Sequence, residues 1–161
     1  MIEVCFVCLG NICRSPLAQG VFEKLVAKEG LDDKILISSA GTGNWHIGSP
    51  PDERMQKTAN KYNVQLNSRG QQFQTSDFKQ LDLILAMDHS NLMALEQISP
   101  DPKQTEKLRL FRSFDPEANG DLDVPDPYYG GGKGFEIVYQ IVERTCPIIL
   151  EFLKKQGSFN A

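Results

Sequence analysis

Residues 2–8, "IEVCFVC", are almost wholly apolar and rich in β-formers, the pattern of a strand buried on both faces. In 16–30 the period changes: Leu17, Val21 and Leu25, then Ala18, Phe22 and Val26, recur every four residues. That spacing predicts a helix, with Pro16 in its first turn and Gly30 as its stop. "KILISSAG" (34–41) is the next strand and completes a β-α-β unit. A helix is expected over 51–62 and a short one from Thr75 or Ser76. "LDLILAMD" (81–88) reads as a buried strand, "SNLMALEQI" (90–98) as a helix, and "KLRLF" (107–111) as the fourth strand. Residues 113–134 form a long loop rich in Asp, Pro and Gly. From Gly134 towards Lys155 a helix presents Phe135, Val138, Ile141, Val142 and Ile149 as its inner stripe, with Pro147 kinking or breaking it.

Strands alternating with helices predict an α/β fold: a four-stranded parallel sheet with helices on both faces, in a three-layer arrangement. Ligands of such sheets bind beyond the carboxyl ends of the strands, where strand order switches. The bend after residue 8 and the Asp-rich loop both fall at strand ends.

The 161 residues are expected to form a single domain, since no repeat, low-complexity tract or linker divides them. With a formal net charge of -4, the chain lacks the overall basic balance of a generic nucleic-acid binder. No stretch approaches the roughly 18 apolar residues of a membrane span, and no signal-peptide pattern opens the chain. The expectation is a cytoplasmic protein without membrane insertion. Four cysteines, Cys5, Cys8, Cys13 and Cys146, are too few and too unevenly placed for a secreted disulfide scaffold. Cys5 and Cys8 form a CxxC, but on a strand residues three apart face opposite ways, so the pair cannot chelate zinc together and Cys5 reads as core.

The chemistry concentrates in "CLGNICRSP" (8–16). A loop that leaves a strand and curls into a helix amino terminus points backbone N–H groups inward and binds an anion the size of phosphate. Gly10 permits an unusual backbone angle and Asn11 tolerates a left-handed one. Arg14 can clamp two phosphate oxygens with its planar fork, leaving the Cys8 sulfur at the floor, in line with phosphorus. A helix amino terminus and an arginine favour a thiolate, yet thiolates that form easily attack less strongly. The larger contribution therefore comes from N–H groups and Arg14 around the equatorial oxygens of the transferring group. In "DVPDPYYGGGKG" (123–134), Asp126 stands between prolines as a proton donor for the leaving oxygen. Tyr128 and Tyr129 follow as an aromatic wall or as packing.

"VCLGNICRSP", "SSAGT", "AMDHSN" and "DPYYGG", in this order and spacing across essentially the whole chain, resemble the low-molecular-weight protein tyrosine phosphatases. The resemblance implies a flavodoxin-like fold and hydrolysis of phosphotyrosine or small aryl phosphates through a phosphocysteine on Cys8. Arg14 would bind phosphate and stabilise the transition state. Ser15 would support the thiolate, and Asn11, buttressed by Ser39, would hold a phosphate loop that also includes Leu9, Gly10, Ile12 and Cys13. Asp126 would act as acid, then as base for the hydrolytic water. No metal or other cofactor is implied. The partners would be phosphotyrosine proteins or peptides, with inorganic phosphate as product and inhibitor.

Where the family carries HxxR, "VQLNSRGQQF" (64–73) places Ser68 and Gln71, so the histidine of the loop's hydrogen-bond network is missing. The chemistry is expected to survive this, with the rigidity of the loop affected. Related arginine phosphatases carry Thr at the position of Ile12 and lack the paired tyrosines, so Ile12, Tyr128 and Tyr129 lean towards phosphotyrosine. Leu9 reads as a further wall, and Trp45 as a wall or as the edge of the core. Cys13 either packs or forms a disulfide with Cys8 on oxidation.

Other readings carry less. "DPEANGDLDVPD" (115–126) nearly fits a calcium loop, but it has Glu117 and a final Asp126 in the wrong places and no flanking helices. His46 and His89 read as surface positions. Rival functions are a thiol-dependent arsenate reductase, which needs cysteines that 75–95 lack, and a silent phosphoprotein-binding module.

Overall fold

The computed structural model describes residues 1–128 and 130–157. Strand β1 (Ile2–Cys8) leads through a bend into α1 (Arg14–Lys28), and β2 (Ile35–Gly41) returns beside β1. Helix α2 (Glu53–Lys61) and a 3-10 turn (Thr75–Lys79) precede β3 (Leu83–Ala86) and α3 (His89–Ile98). The one-turn α4 (Pro102–Thr105), β4 (Leu108–Leu110) and a second 3-10 turn (Phe111–Phe114) follow, and α5 (Gly132–Gln156) closes the described chain. All four predicted strands, the four longer predicted helices and the short one are present, with ends that differ by at most two residues.

The sheet is four-stranded and parallel, in the order β2-β1-β3-β4. The chain steps from β1 to β2 on one side and then crosses to β3 on the other. The switch therefore lies between β1 and β3, the flavodoxin-like arrangement in which ligands sit at those carboxyl ends.

Alternation along β1 divides the core in two. Val4, Phe6 and Cys8 face α1, α2 and α5, where Leu17, Phe22, Met55, Phe135, Val138 and Val142 are buried with them. Cys5 and Val7 face the other side, with Phe73, Phe78, Ile84 and Leu95. The CxxC pair is thus split by the sheet, and burial raises the Cys5 thiol to about 12. The predicted inner stripe of α5 is buried throughout. Pro147 lies inside α5 without ending it, and its exposed position lets water satisfy the carbonyl it leaves unpaired. Among the described residues, no helix is long and apolar enough to cross a membrane.

α4 and the Phe111–Phe114 turn were not expected. α4 has its own start signals, since Asp101 accepts from Gln104 N at 2.9 Å and Pro102 occupies the first turn. It is simply too short to show a period.

The loop after β4 is organised by Asp115, whose side chain is fully buried. It accepts from Arg112 Nε at 2.9 Å and from Arg144 Nε and Nη2 at 2.8 and 3.0 Å. These ion pairs occupy the first carboxylate of the calcium-like stretch. Burial pushes the Asp115 carboxyl up, but Arg144, the Glu117 amide and Arg112 outweigh it and hold it below the ordinary carboxylate range. Its contribution to stability is therefore present above the unfolded value of about 3.9 and lost as pH falls through the lower folded value. Asp115→Ala, which removes the buried carboxylate shared by Arg112 and Arg144, is expected to cost about 3 kcal/mol in urea unfolding at neutral pH, and less in strong acid.

Candidate active site

The bend between β1 and α1 wraps over the end of the Cys8 side chain. Asn11 is left-handed at φ 57, which turns the chain back on itself. Among the described residues, no group accepts a hydrogen bond from the backbone N–H groups of Leu9 to Cys13. Five consecutive donors followed at once by a helix amino terminus make an anion-binding nest. The neighbouring chain braces it from outside: Thr42 N donates to Cys8 O at 2.9 Å, Gly43 N to Leu9 O at 2.9 Å and Asp52 N to Ile12 O at 2.8 Å.

The helix begins at Arg14, two residues before Pro16, and Ser15 is not its cap. Ser15 instead turns inward, with Oγ 3.0 Å from Cys8 Sγ. Asn11 Nδ2 donates to Ser15 Oγ at 2.8 Å and to Ser39 Oγ at 3.0 Å, while Asn11 Oδ1 accepts from Gln71 N at 3.0 Å. Ser39 Oγ in turn donates to Gln19 Oε1 at 2.6 Å. With Asn11 filling one acceptor position of Ser15, the hydroxyl proton of Ser15 is left for the sulfur or, more distantly, for Ala40 O at 3.4 Å.

Gln71, at the position of the family's arginine, also bonds this network. Gln71 Nε2 donates to Ser39 O at 2.8 Å while its own amide holds Asn11. Asn11→Ala removes the side-chain bonds to Ser15, Ser39 and Gln71 N and puts Ala in the left-handed region. It is expected to cost about 2–4 kcal/mol, read as a lowered urea midpoint with unchanged slope.

Arg14 is 2% exposed. Its Nη1 donates to Asp88 Oδ2 at 2.6 Å and to Val124 O at 2.9 Å, and its Nη2 lies 3.5 Å from Asp126 Oδ2. Burial works against the charge, but the Cys8 sulfur, Asp88 and Asp126 outweigh it and hold the guanidinium above its ordinary range. Asp88 also caps α3, its Oδ1 accepting from Asn91 N at 2.7 Å. One carboxylate thus fixes both a helix end and the guanidinium.

Cys8, Leu9, Gly10, Ile12, Cys13, Arg14, Trp45, His46, Asp126 and Tyr128 line one pocket of about 340 Å³. Asp126 stands at its edge and accepts from Tyr128 N at 3.0 Å. Trp45 is 68% exposed, so it belongs to the wall and not to the core. Its ring lies over Gly43, where a Cβ would fall 1.8 Å from the ring. Arg54 is stacked at 5.4 Å over the Tyr128 ring and is paired with Asp52. Tyr129 lies outside the described residues.

Cys13 is buried beside Cys8 in this lining, and all four cysteines are free. Burial first, then the charges of Asp52, Cys8 and Asp126, push its thiol far above the ordinary range despite Arg54.

The structure therefore gathers Cys8, the 9–15 loop, Ser39, Trp45, Asp126 and Tyr128 as expected. It adds Asp88, Gln19, Gln71, Arg54 and His46. His46 is a correction, because it is half-buried in the pocket wall rather than a surface residue, its Cδ2 3.1 Å from where a Cβ on Gly10 would stand.

Fold and site together define a thiol-floored anion pocket at the switch point of a flavodoxin-like sheet. The family model described as low molecular weight phosphotyrosine protein phosphatase matches residues 3–159. A low molecular weight protein-tyrosine-phosphatase of Streptomyces coelicolor is 46% identical over 155 residues, covering 96% of this chain and 94% of that protein. The low molecular weight phosphotyrosine protein phosphatase of Gallus gallus is 44% identical, covering 92% of this chain and 94% of that protein. The crystal structure of a protein tyrosine phosphatase from Entamoeba histolytica superposes with a TM-score of 0.92 at 37% identity, covering 97% of this chain and 99% of that one. The chain belongs to this family of protein-tyrosine phosphatases.

Proposed function

We propose that the chain, acting over 1–161 as one domain, hydrolyses phosphotyrosine in proteins or peptides, and small aryl phosphates, through a phosphocysteine on Cys8. The observation that carries this is the set of five unpaired N–H donors and Arg14 grouped in one pocket with the Cys8 sulfur.

In the first step the sulfur attacks phosphorus, forming S–P as the P–O bond to the aryl oxygen breaks. Asp126 gives its proton to that oxygen. The N–H groups of 9–13 and the Nε–Nη2 edge of Arg14 stabilise the equatorial oxygens, since Nη1 is engaged by Asp88 and Val124. In the second step Asp126 takes a proton from water as its oxygen attacks phosphorus. The S–P bond breaks, restoring the thiolate, with Ser15 donating to the sulfur, and releasing inorganic phosphate. Phosphate fits the same nest, so it inhibits as product. This cycle has no step that calls for a metal or other cofactor, and it needs a reduced thiol, which suits the cytoplasm.

The pocket walls favour an aryl ester. Leu9, Ile12, Trp45 and Tyr128 line the approach to the buried Cys8, which a phosphotyrosine can reach and a phosphoserine cannot. The test is phosphate release from matched phosphotyrosine, phosphoserine and phosphoarginine peptides with chelator present. Release from phosphotyrosine alone is expected. Preference for phosphoarginine would overturn the substrate class, and binding without turnover would leave only a phosphate reader.

A further inference from the structure

Asp126 lies on an exposed stretch of chain, yet its carboxylate must meet the leaving oxygen within a fraction of an ångström. The chain just before it is held tightly. Val124 N donates to Met87 O at 2.8 Å, and Val124 O accepts from Arg14 Nη1 at 2.9 Å. Asp123 Oδ1 accepts twice from His89, from the backbone N at 2.8 Å and from ring Nδ1 at 2.7 Å. Arg112 Nη1 donates to Asp123 O at 3.0 Å.

His89 is the first residue of α3 and follows Asp88, which grips Arg14. One helix end therefore sets both the guanidinium and the loop that carries the acid. We propose that His89 and Asp123 are positioning residues: the ring-to-carboxylate clasp fixes where Asp126 stands relative to the leaving oxygen. This rests on the phosphatase reading given above.

Val124 N, Val124 O and Asp123 O fix the main chain here, while among the described residues the Asp123 side chain is held by His89 alone. The His89 ring adds a second donor to Asp123 Oδ1 beside the backbone N–H, which fixes the direction of that carboxylate and not only its distance. Asp126 is three residues beyond Asp123, a lever of about 10 Å, so a rotation of about 6° displaces the acid by about 1 Å, enough to cost about a hundredfold in rate. A neutral imidazole protonated on Nδ1 still donates, so the clasp does not depend on the charge of His89. Desolvation opposes the Asp123 charge, but the two His89 bonds, with help from Arg14, hold its carboxyl below the ordinary range. His89 is 57% exposed on its side chain, so its replacement leaves the core untouched.

A displaced acid has a signature that general destabilisation lacks. Proton donation matters little to a strongly acidic phenol and much to a weakly acidic one. The experiment measures the rate of phenol release in the first turnover from nitrophenyl phosphate and from phosphotyrosine, with inhibition by inorganic phosphate measured alongside. Asp126→Asn serves as the reference for a lost acid, and its loss with phosphotyrosine should exceed that with the nitrophenyl ester about a hundredfold. His89→Ala is expected to show the same split at about tenfold, with phosphate inhibition unchanged. His89→Asn, whose amide nitrogen can take the place of Nδ1, is expected to restore the wild-type ratio. Equal losses for the two esters, no loss, or a loss that His89→Asn does not reverse would overturn the clasp while leaving the phosphatase reading intact. A wild type that releases phenol from neither ester would overturn both.

Discussion

Cys8→Ser is expected to release phosphate from a phosphotyrosine peptide at least about 10⁴-fold more slowly than wild type. A serine hydroxyl is far less acidic than a thiol, so it stays protonated where the thiolate forms and is a poor nucleophile in this pocket. Ser15 can bond the hydroxyl much as it bonds the sulfur, and the N–H groups of 9–13 are backbone. The variant should therefore still bind inorganic phosphate within about threefold of wild type by calorimetry, since the nest and Arg14 are intact. Loss of binding together with activity would mean that the substitution had collapsed the loop.

Arg14→Lys is expected to lower kcat/KM by about 10³-fold and to weaken phosphate inhibition as well, although charge is conserved. The reason lies in how the fork is divided. Nη1 is committed to Asp88 at 2.6 Å and to Val124 O at 2.9 Å, which leaves Nε and Nη2 for the substrate. A lysine has one head. Held by Asp88 and Val124 it cannot also straddle two phosphate oxygens, and released to the phosphate it leaves Asp88 without its ion-pair partner. A lysine variant within tenfold of wild type in kcat/KM would show that the division of the guanidinium is irrelevant to the transition state.

Most of the fold was legible because it is written in short-range period. The apolar runs of β1 and β3 and the four-residue repeat in α1 follow from burial alone, and so do their alternating faces. Start and stop signals placed element ends to within a few residues, and missed where a side chain had another task. Pro16 reads as part of the first turn, but α1 already starts at Arg14, and Ser15 lies inside the helix with its side chain on Cys8 and Asn11.

The site was legible where its members are adjacent in sequence, or follow a loop signal as Asp126 does. It was not legible where strand order brings distant segments together. Asp88 meets Arg14 only because β3 pairs with β1, and neither residue's neighbours announce the contact. Gln71 departs from the family pattern, and its bonds to Asn11 and Ser39 depend on the 70–73 segment running beside Gly41. His46 and Arg54 have no local signal either. They join the pocket because the 42–54 segment folds back over Gly10 and Tyr128.

The central claim is that phosphorus passes through the Cys8 sulfur. Its most direct test is to mix the enzyme with a radiolabelled phosphotyrosine peptide, quench in acid within the first turnover, digest, and locate the label. The account predicts label on the peptide that carries Cys8, at close to one equivalent when breakdown of the intermediate is slow, and none in Cys8→Ser. Hydrolysis that proceeds at the wild-type rate with label on another residue, or with no covalent label under conditions that preserve a phosphocysteine, would contradict it.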